Sequence, residues 1–242
     1  MKISVVLPTY NEKKNIEILI PSLEKLFKKN KINPEIIVVD DSSPDGTADV
    51  AFRLNKIYKN IKVVLRDKLG GLGSALRDGY NHAQGNIIIS MDSDLSLDSN
   101  DIIKFIRKIE SGYDLVVGSR FIQSAKYEKK SIKIRIKSVI STIGNKFTMF
   151  FLGIDVHDFS LNFRAIKKSA WDVIKTKEKN NAFLLEMIVK SKFLGLKVSE
   201  IPVIFKERSY GKSKVKLYKE SIYFLKKVIE YFVIYRLLRR NC

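Results

Sequence analysis

Two carboxylates, Asp92 and Asp94, stand one small residue apart in the stretch that runs from Ile87 to Asp98. Two hard oxygen ligands at that spacing can share a divalent cation, and the cation can also hold the oxygens of a diphosphate. The run Ile87, Ile88, Ile89 in front of them suits a strand in a parallel sheet covered on both faces. Open α/β sheets bind ligands beyond the carboxyl ends of their strands, which is where Asp92 and Asp94 fall. An isolated Asp-x-Asp is more often a polar turn after a strand, so the rest of the chain has to decide.

The elements around this stretch alternate. Strands are expected at Ile3 to Leu7, Glu35 to Asp40, Ile61 to Leu65, Ile87 onward and Tyr113 to Gly118. Helices are expected between them: one to about Lys29 with Pro21 inside it, then Thr47 to about Tyr58, one to about Gln84, and about Asn100 to Glu110. Strict alternation implies βαβ units and a mainly parallel sheet. Right-handed crossovers would bring Pro8–Glu12, Asp40–Asp41, Gly70–Gly73 and Asp92–Asp94 to one rim, as one site rather than four separate turns. The fold class is therefore α/β, with helices flanking the sheet.

Beyond Arg120 the pattern changes. Lys126 to Lys137 is basic, Ile132 to Leu152 has mixed helical periodicity, and Ser160 to Ile166 reads as a short strand. Leu184 to Phe193 reads as helix, and Val198 to Phe205 as a strand broken at Pro202. A basic loop from Lys206 to Lys216 leads to a long amphipathic helix, Leu217 to Leu238. The expected organisation is one domain over 1–216, with halves at about 1–122 and 123–216, and an appended interfacial helix over 217–242.

With 45 Lys and Arg against 26 Asp and Glu, the net charge is +19. That favours an anionic partner: nucleic acid, a phosphorylated ligand or a lipid surface. One cysteine, Cys242, rules out an internal disulfide and suits a reducing compartment. The chain opens on a strand pattern, so no signal peptide is expected. It has no uncharged apolar run of 18 residues, so no membrane span is expected.

Five blocks in order resemble a known family. Val5 to Glu12, Val38 to Thr47, Met91 to Asp94, Gly118 to Arg120, and Glu200 to Lys214 look like the inverting family-2 glycosyltransferases of GT-A (Rossmann-like) fold. They are most similar to the dolichol-phosphate mannose synthases and related polyprenyl-phosphate glycosyltransferases. The resemblance implies that Pro8, Tyr10, Glu12, Val39 and Asp41 hold the donor nucleoside. It implies that Asp92, Ser93 and Asp94 meet its diphosphate, with Asp92 and Asp94 holding Mg²⁺ or Mn²⁺. Arg208 and Lys214 would close over the phosphates, and Arg120, Lys137 and Ser141 would take the acceptor phosphate. Asp92, Asp94 and Arg120 would carry catalysis.

Three positions depart from the family pattern. Many relatives place a glutamine metal-site ligand where Ser96 stands, and an arginine where Lys137 stands. Where they carry Asp-Pro-Thr-Ser-Gly-Phe-Arg, this chain has Asp158-Phe159-Ser160-Leu161-Asn162-Phe163-Arg164.

The implied reaction moves one sugar from a nucleotide donor to a polyprenyl (dolichyl) phosphate at a membrane surface. GDP-mannose is the first expectation for the donor and UDP-glucose the second. A phosphate monoester needs no general base, since its second pKa is about 6; a sugar hydroxyl would need one, and only Asp158 offers itself. The alternatives are a family-2 transferase acting on a saccharide or other hydroxyl, and a basic nucleic-acid-binding module. The latter has no zinc-finger spacing, RNP motif or Gly-x-x-Gly loop behind it, so no nucleic-acid partner is expected. The implied location is peripheral, at the cytoplasmic face of a membrane. A membrane-protein partner or a second copy of the chain is a further option for the last helix.

Overall fold

The computed structural model describes residues 2–127, 132–208, 210 and 217–237, with the backbone alone at 127, 132–137, 217–218 and 236–237. Strands β1 (Lys2–Thr9), β2 (Asn33–Asp40), β3 (Ile61–Leu65), β4 (Ile87–Met91) and β5 (Leu115–Ser119) alternate with helices α1 (Lys13–Lys29), α2 (Thr47–Tyr58), α3 (Leu72–His82) and α4 (Ile102–Glu110). Then follow β6 (Lys126–Tyr127), α5 (Ile132–Leu152), β7 (Phe163–Lys167), α6 (Lys168–Val173), α7 (Ala182–Phe193), β8 (Val198–Pro202), β9 (Ile204–Phe205) and α8 (Leu217–Phe232). A π-helical turn, Val233–Leu237, ends the described chain. The two-residue β6 and the six-residue α6 escape a sequence reading because neither is long enough to show a period. Helix α1 continues through Pro21.

Seven strands form one sheet in the order β3-β2-β1-β4-β7-β5-β8. All neighbours are parallel except β7, which runs antiparallel between β4 and β5. The second half of the chain thus completes the sheet begun by the first. A separate two-stranded ladder joins β6 and β9.

Side chains alternate across the sheet with period two, and two apolar layers result. Val5, Leu7, Val38, Ile89 and Phe163 face α1, α2 and α4. Val6, Ile37, Val39, Ile88 and Ile166 face α3, α6 and α7. Helix α3 lies close on the sheet at Gly79, where an added Cβ would come within 2.3 Å of Val6 Cγ1. Only a residue without Cβ allows that approach.

Helix α8 packs on α5 and α7. Val228 and Tyr231 are buried, while Ile222, Leu225, Ile229 and Val233 face outward. The amphipathic pattern expected of this helix puts its lysines on the polar side. The structure turns Lys227 inward instead, onto Glu178 at 2.8 Å and Glu230 at 2.7 Å. Burial alone would lower the Lys227 ammonium's pKa, but the two carboxylates raise it.

Candidate functional site

Three of the strands that reach the rim are followed by sharp turns. Non-glycine residues take the left-handed conformation just past β1 (Asn11, φ 56°), β2 (Ser42, φ 54°) and β4 (Leu95, φ 63°). That conformation costs an L-residue about 1–2 kcal/mol, and such strain gathers where a backbone is held for a ligand.

These turns border a cleft of about 900 Å³ that gathers Pro8, Tyr10, Glu12, Asp41, Asp92 and Asp94 at the carboxyl edge of the sheet. The expectation of a single rim site is met. Ser93, Ser96, Arg120, Ser141 and Arg208 line the same cleft. The Lys137 side chain and all of Lys214 lie outside the described residues.

Hydrogen bonds fix where several of these side chains stand. Asp41 is no helix cap: it accepts from Arg66 Nη1 at 2.8 Å and from the Gly70 N–H at 3.0 Å. Burial raises its pKa, against the pull of the Gly70 N–H and the Arg66 charge. The glycine loop is thereby tied to the end of β2, and it is not slack. Gly71 has φ +88°, and a Cβ there would sit 2.6 Å from the Lys179 carbonyl oxygen. Glu12 occupies the cap position of α1 without a capping bond from its side chain, which accepts instead from Asn15. Ser93 donates to the Pro8 carbonyl at 3.0 Å. Val39 departs from expectation: its side chain is fully buried in the core against Gly79, away from the cleft.

The carboxylate pair has an asymmetric setting. Asp94 meets Arg208 Nη2 at 2.8 Å and accepts from the Ser96 N–H at 3.0 Å. Asp92 accepts from Asn162 Nδ2 at 3.0 Å. Burial, and then the negative charge of Asp94, push the Asp92 carboxyl up to about 7, against Asn162, Arg208 and Arg120. A carboxylate in that position is one whose charge a cation relieves. The buried Ser96 Oγ has no hydrogen-bond partner among the described residues, and an oxygen lone pair is thus left for a ligand.

Asp92, Asp94 and Ser96 make an all-oxygen donor set that suits a hard cation such as Mg²⁺ or Mn²⁺. No group of three His, Cys, Asp or Glu that could hold a metal occurs among the described residues. Phosphate oxygens and water would therefore fill the other positions, as is usual for Mg²⁺.

Arg120 is held from behind. Asp158 accepts from its Nε at 2.7 Å and from its Nη2 at 3.0 Å, and Ser160 Oγ accepts at 2.8 Å. Phe121 and Phe205 flank the guanidinium at 5.1 and 5.3 Å. Asp158 is fully buried, so the one general base that the sequence offered is instead the clamp that sets Arg120. His157 pairs with Glu200 at 2.8 Å, a structural contact beside that clamp.

The contacts of three buried polar residues were not legible in the sequence, although Asn162 and Arg164 fall in its 158–164 block. Asn162 touches Asp92, Asn145 receives the Phe159 N–H at 2.9 Å, and the buried Arg164 donates to the Phe159, Leu161 and Leu184 carbonyls. Arg164 pins the 158–162 loop to α7, and burial lowers its pKa to about 10. The one available signal was a buried-strand arginine in an apolar run.

On its outer side the cleft turns apolar. Ile140, Ile143 and Phe147 of α5 face Phe224, Leu225 and Val228 of α8 across it.

A sequence profile described as Glycosyl transferase family 2 matches residues 4–174. The chain is 33% identical over 216 residues to a dolichol-phosphate mannosyltransferase of Pyrococcus furiosus, covering 89% of this chain and 60% of that protein. It is 28% identical over 223 residues to a polyprenol monophosphomannose synthase of Mycolicibacterium smegmatis, covering 87% and 80%. The chain thus spans about three fifths of the length of the first of these relatives. The fold matches glucosyl-3-phosphoglycerate synthase of Mycobacterium tuberculosis, solved with Mn²⁺, UDP and phosphoglyceric acid, at a TM-score of 0.70 and 20% identity over 96% of this chain and 78% of that one. A structure of the same enzyme with Mg²⁺ and UDP superimposes with a TM-score of 0.66 at 18% identity, over 96% and 78%.

Proposed function

The chain belongs to glycosyl transferase family 2 and has a GT-A fold, and from that premise we propose that it transfers one sugar from a nucleotide donor to a polyprenyl phosphate. One observation carries the choice of acceptor. The polar floor with Asp92, Asp94 and Arg120 opens directly into the apolar channel between α5 and α8. A phosphate on an isoprenoid tail matches both halves; a free saccharide matches only the first. The two relatives above are named for lipid-phosphate mannosyl transfer, which supports mannose from GDP-mannose ahead of glucose from UDP-glucose.

In this reading Pro8, Tyr10, Glu12 and Asp41 receive the nucleoside, with Asp41 held by Arg66 and the glycine loop. Asp92 and Asp94 hold Mg²⁺ or Mn²⁺, with Ser96 beside them; the bound cation supplies Lewis acidity toward the departing diphosphate. Arg208, paired with Asp94, would turn to the donor phosphates. Arg120, fixed by Asp158, orients the acceptor phosphate. That phosphate is largely ionised at neutral pH, so it attacks the anomeric carbon as the diphosphate leaves from the other side, with inversion. The buried Asp158 is not required as a base.

We treat residues 1–216 as the transferase domain and α8 with the residues after it as its appendage. No helix among the described residues is long and apolar enough to cross a membrane. The exposed apolar faces of α5 and α8 would instead rest in the interface, at the cytoplasmic leaflet, with exposed Lys219 and Lys226 toward headgroups.

The test is a screen of GDP-mannose, UDP-glucose and other nucleotide sugars against polyprenyl phosphate with Mg²⁺ or Mn²⁺. A glycolipid whose anomeric configuration is opposite to the donor's is expected. Transfer to 3-phosphoglycerate or to a saccharide, with none to the lipid, would overturn the acceptor assignment.

A further inference from the structure

Asn162 stands where the family motif has glycine, and the structure places it directly across from the carboxylates. Strands β4 and β7 are antiparallel, with Ser90 opposite Arg164 and Met91 opposite Phe163. The next pair in that register is Asp92 and Asn162. Because side chains alternate along a strand, Ile88, Ser90 and Asp92 share one face of β4, the face on which α3 lies.

The hydrogen bonds on that face form a directed chain. Asn162 Nδ2 donates to Asp92 Oδ1 at 3.0 Å. Its Oδ1 accepts from Ser90 Oγ at 2.8 Å. With the Ser90 proton committed there, Tyr80 OH is the donor to Ser90 Oγ, at 2.8 Å. Tyr80, Ser90 and Asn162 are all buried. Tyr80 is itself wedged edge-on against Trp171, with centroids 4.8 Å apart. Every rotor in the chain has its orientation set by the one behind it, and the last group held is the Asp92 carboxylate.

The second departure lies in the same place. Position 96, where many relatives carry a glutamine amide, is the buried Ser96 with its unpartnered Oγ. An amide is missing on one side of the carboxylates and a new one is present on the other.

We propose that Asn162 is a positioning residue for the metal site: by fixing Asp92 through its own anchored amide, it compensates for the glutamine absent at Ser96. This rests on the assignment of Asp92 and Asp94 as metal ligands. The amide nitrogen occupies Oδ1, and Oδ2 would be the oxygen left to hold a cation. Groups that orient a ligand in this way typically govern affinity by about 10- to 100-fold.

The experiment is a titration of the full chain with Mn²⁺, alone and with GDP or UDP, free Mn²⁺ being read by electron paramagnetic resonance. Asn162→Ala is expected to weaken Mn²⁺ binding by about 10- to 100-fold. Ser90→Ala should weaken it less and should add nothing in the Asn162→Ala background, since both act through one amide. Introducing Ser96→Gln into Asn162→Ala should restore affinity. Thermal unfolding of each variant separates loss of fold from loss of metal, and if Asn162→Ala fails to fold, Ser90→Ala and Tyr80→Phe carry the comparison. Mn²⁺ affinity unchanged in folded Asn162→Ala, or in folded Ser90→Ala and Tyr80→Phe where it does not fold, overturns the proposal. Wild-type protein that binds no Mn²⁺ even with nucleotide overturns the metal assignment itself, a different result.

Discussion

At the scale of single residues, the two carboxylates differ in surroundings although they are one residue apart. Asp94 is neutralised by Arg208, whereas Asp92 accepts from the neutral amide of Asn162. Replacing either removes a site for positive charge without opening a cavity. Asp92→Asn and Asp94→Asn are therefore expected to reduce sugar transfer by about 10²-fold or more with unchanged circular dichroism; wild-type turnover in either would remove the metal reading. Asp158 makes a different prediction, because it is fully buried and its partner is a largely buried cation. Asp158→Ala removes the carboxylate that holds Arg120 through two hydrogen bonds, and breaking such a pair costs about 3–5 kcal/mol. Denaturant unfolding should show that loss together with weaker use of the acceptor phosphate. A general base would instead show near-normal stability and a changed pH profile. The sequence placed Asp158 in a recognisable motif, yet its role was illegible there, because Arg120 lies 38 residues away.

At the scale of elements, the first strands are tied together at the end of the sheet opposite the cleft. Glu35 at the start of β2 accepts from Ser4 of β1 and from the Gln84 and Gly85 N–H groups that lead into β4, and it pairs with Lys2 at 3.3 Å. Burial pushes its pKa up, but the Ser4 and Gln84 hydrogen bonds and the Lys2 charge hold it below the ordinary 4.5. A carboxylate depressed in the folded state gives stability that is full above its unfolded pKa and is lost as pH falls through the folded one. Glu35→Gln should thus be less stable than wild type at pH 7, and the gap should close as the pH drops below the ordinary value of 4.5. Parallel melting curves from neutral to acid pH decide it; a gap independent of pH would assign Glu35 no electrostatic role.

At the scale of the whole molecule, the segment 178–181 connects the two ends of the cleft. The Lys179 carbonyl receives the Ser74 N–H of α3 at 3.0 Å. Glu178 receives Lys227 and the Tyr223 hydroxyl of α8, and Asn181 donates to Glu220 at 3.3 Å. Helix α8 is thus bolted to the glycine loop that holds Asp41, with its inner face on the body and its outer face exposed. Helix α5, which packs on α8, also exposes Val139, Ile143 and Phe150, so both helices carry apolar side chains to the surface. Ile143→Asp with Ile229→Asp should abolish sedimentation with anionic liposomes, while Lys219→Ala with Lys226→Ala should weaken it by about 1 kcal/mol per lysine at low salt. Equal sedimentation of all variants would assign the patch to another partner.

The alternation of strands and helices, the rim position of the carboxylates and the amphipathic last helix were all written in the sequence. Each rests on short-range physics: side-chain period, turn chemistry and the spacing of adjacent residues. Only the tertiary structure sent Val39 into the core, turned Lys227 onto Glu178, made Asp158 the clamp of Arg120 and set Asn162 on Asp92. The last two follow from β7 running antiparallel between β4 and β5, which carries the 158–162 loop to the rim. The Asn162–Asp92 contact spans 70 residues, and no local pattern encodes it, because strand order and register are set by burying both faces of the sheet at once.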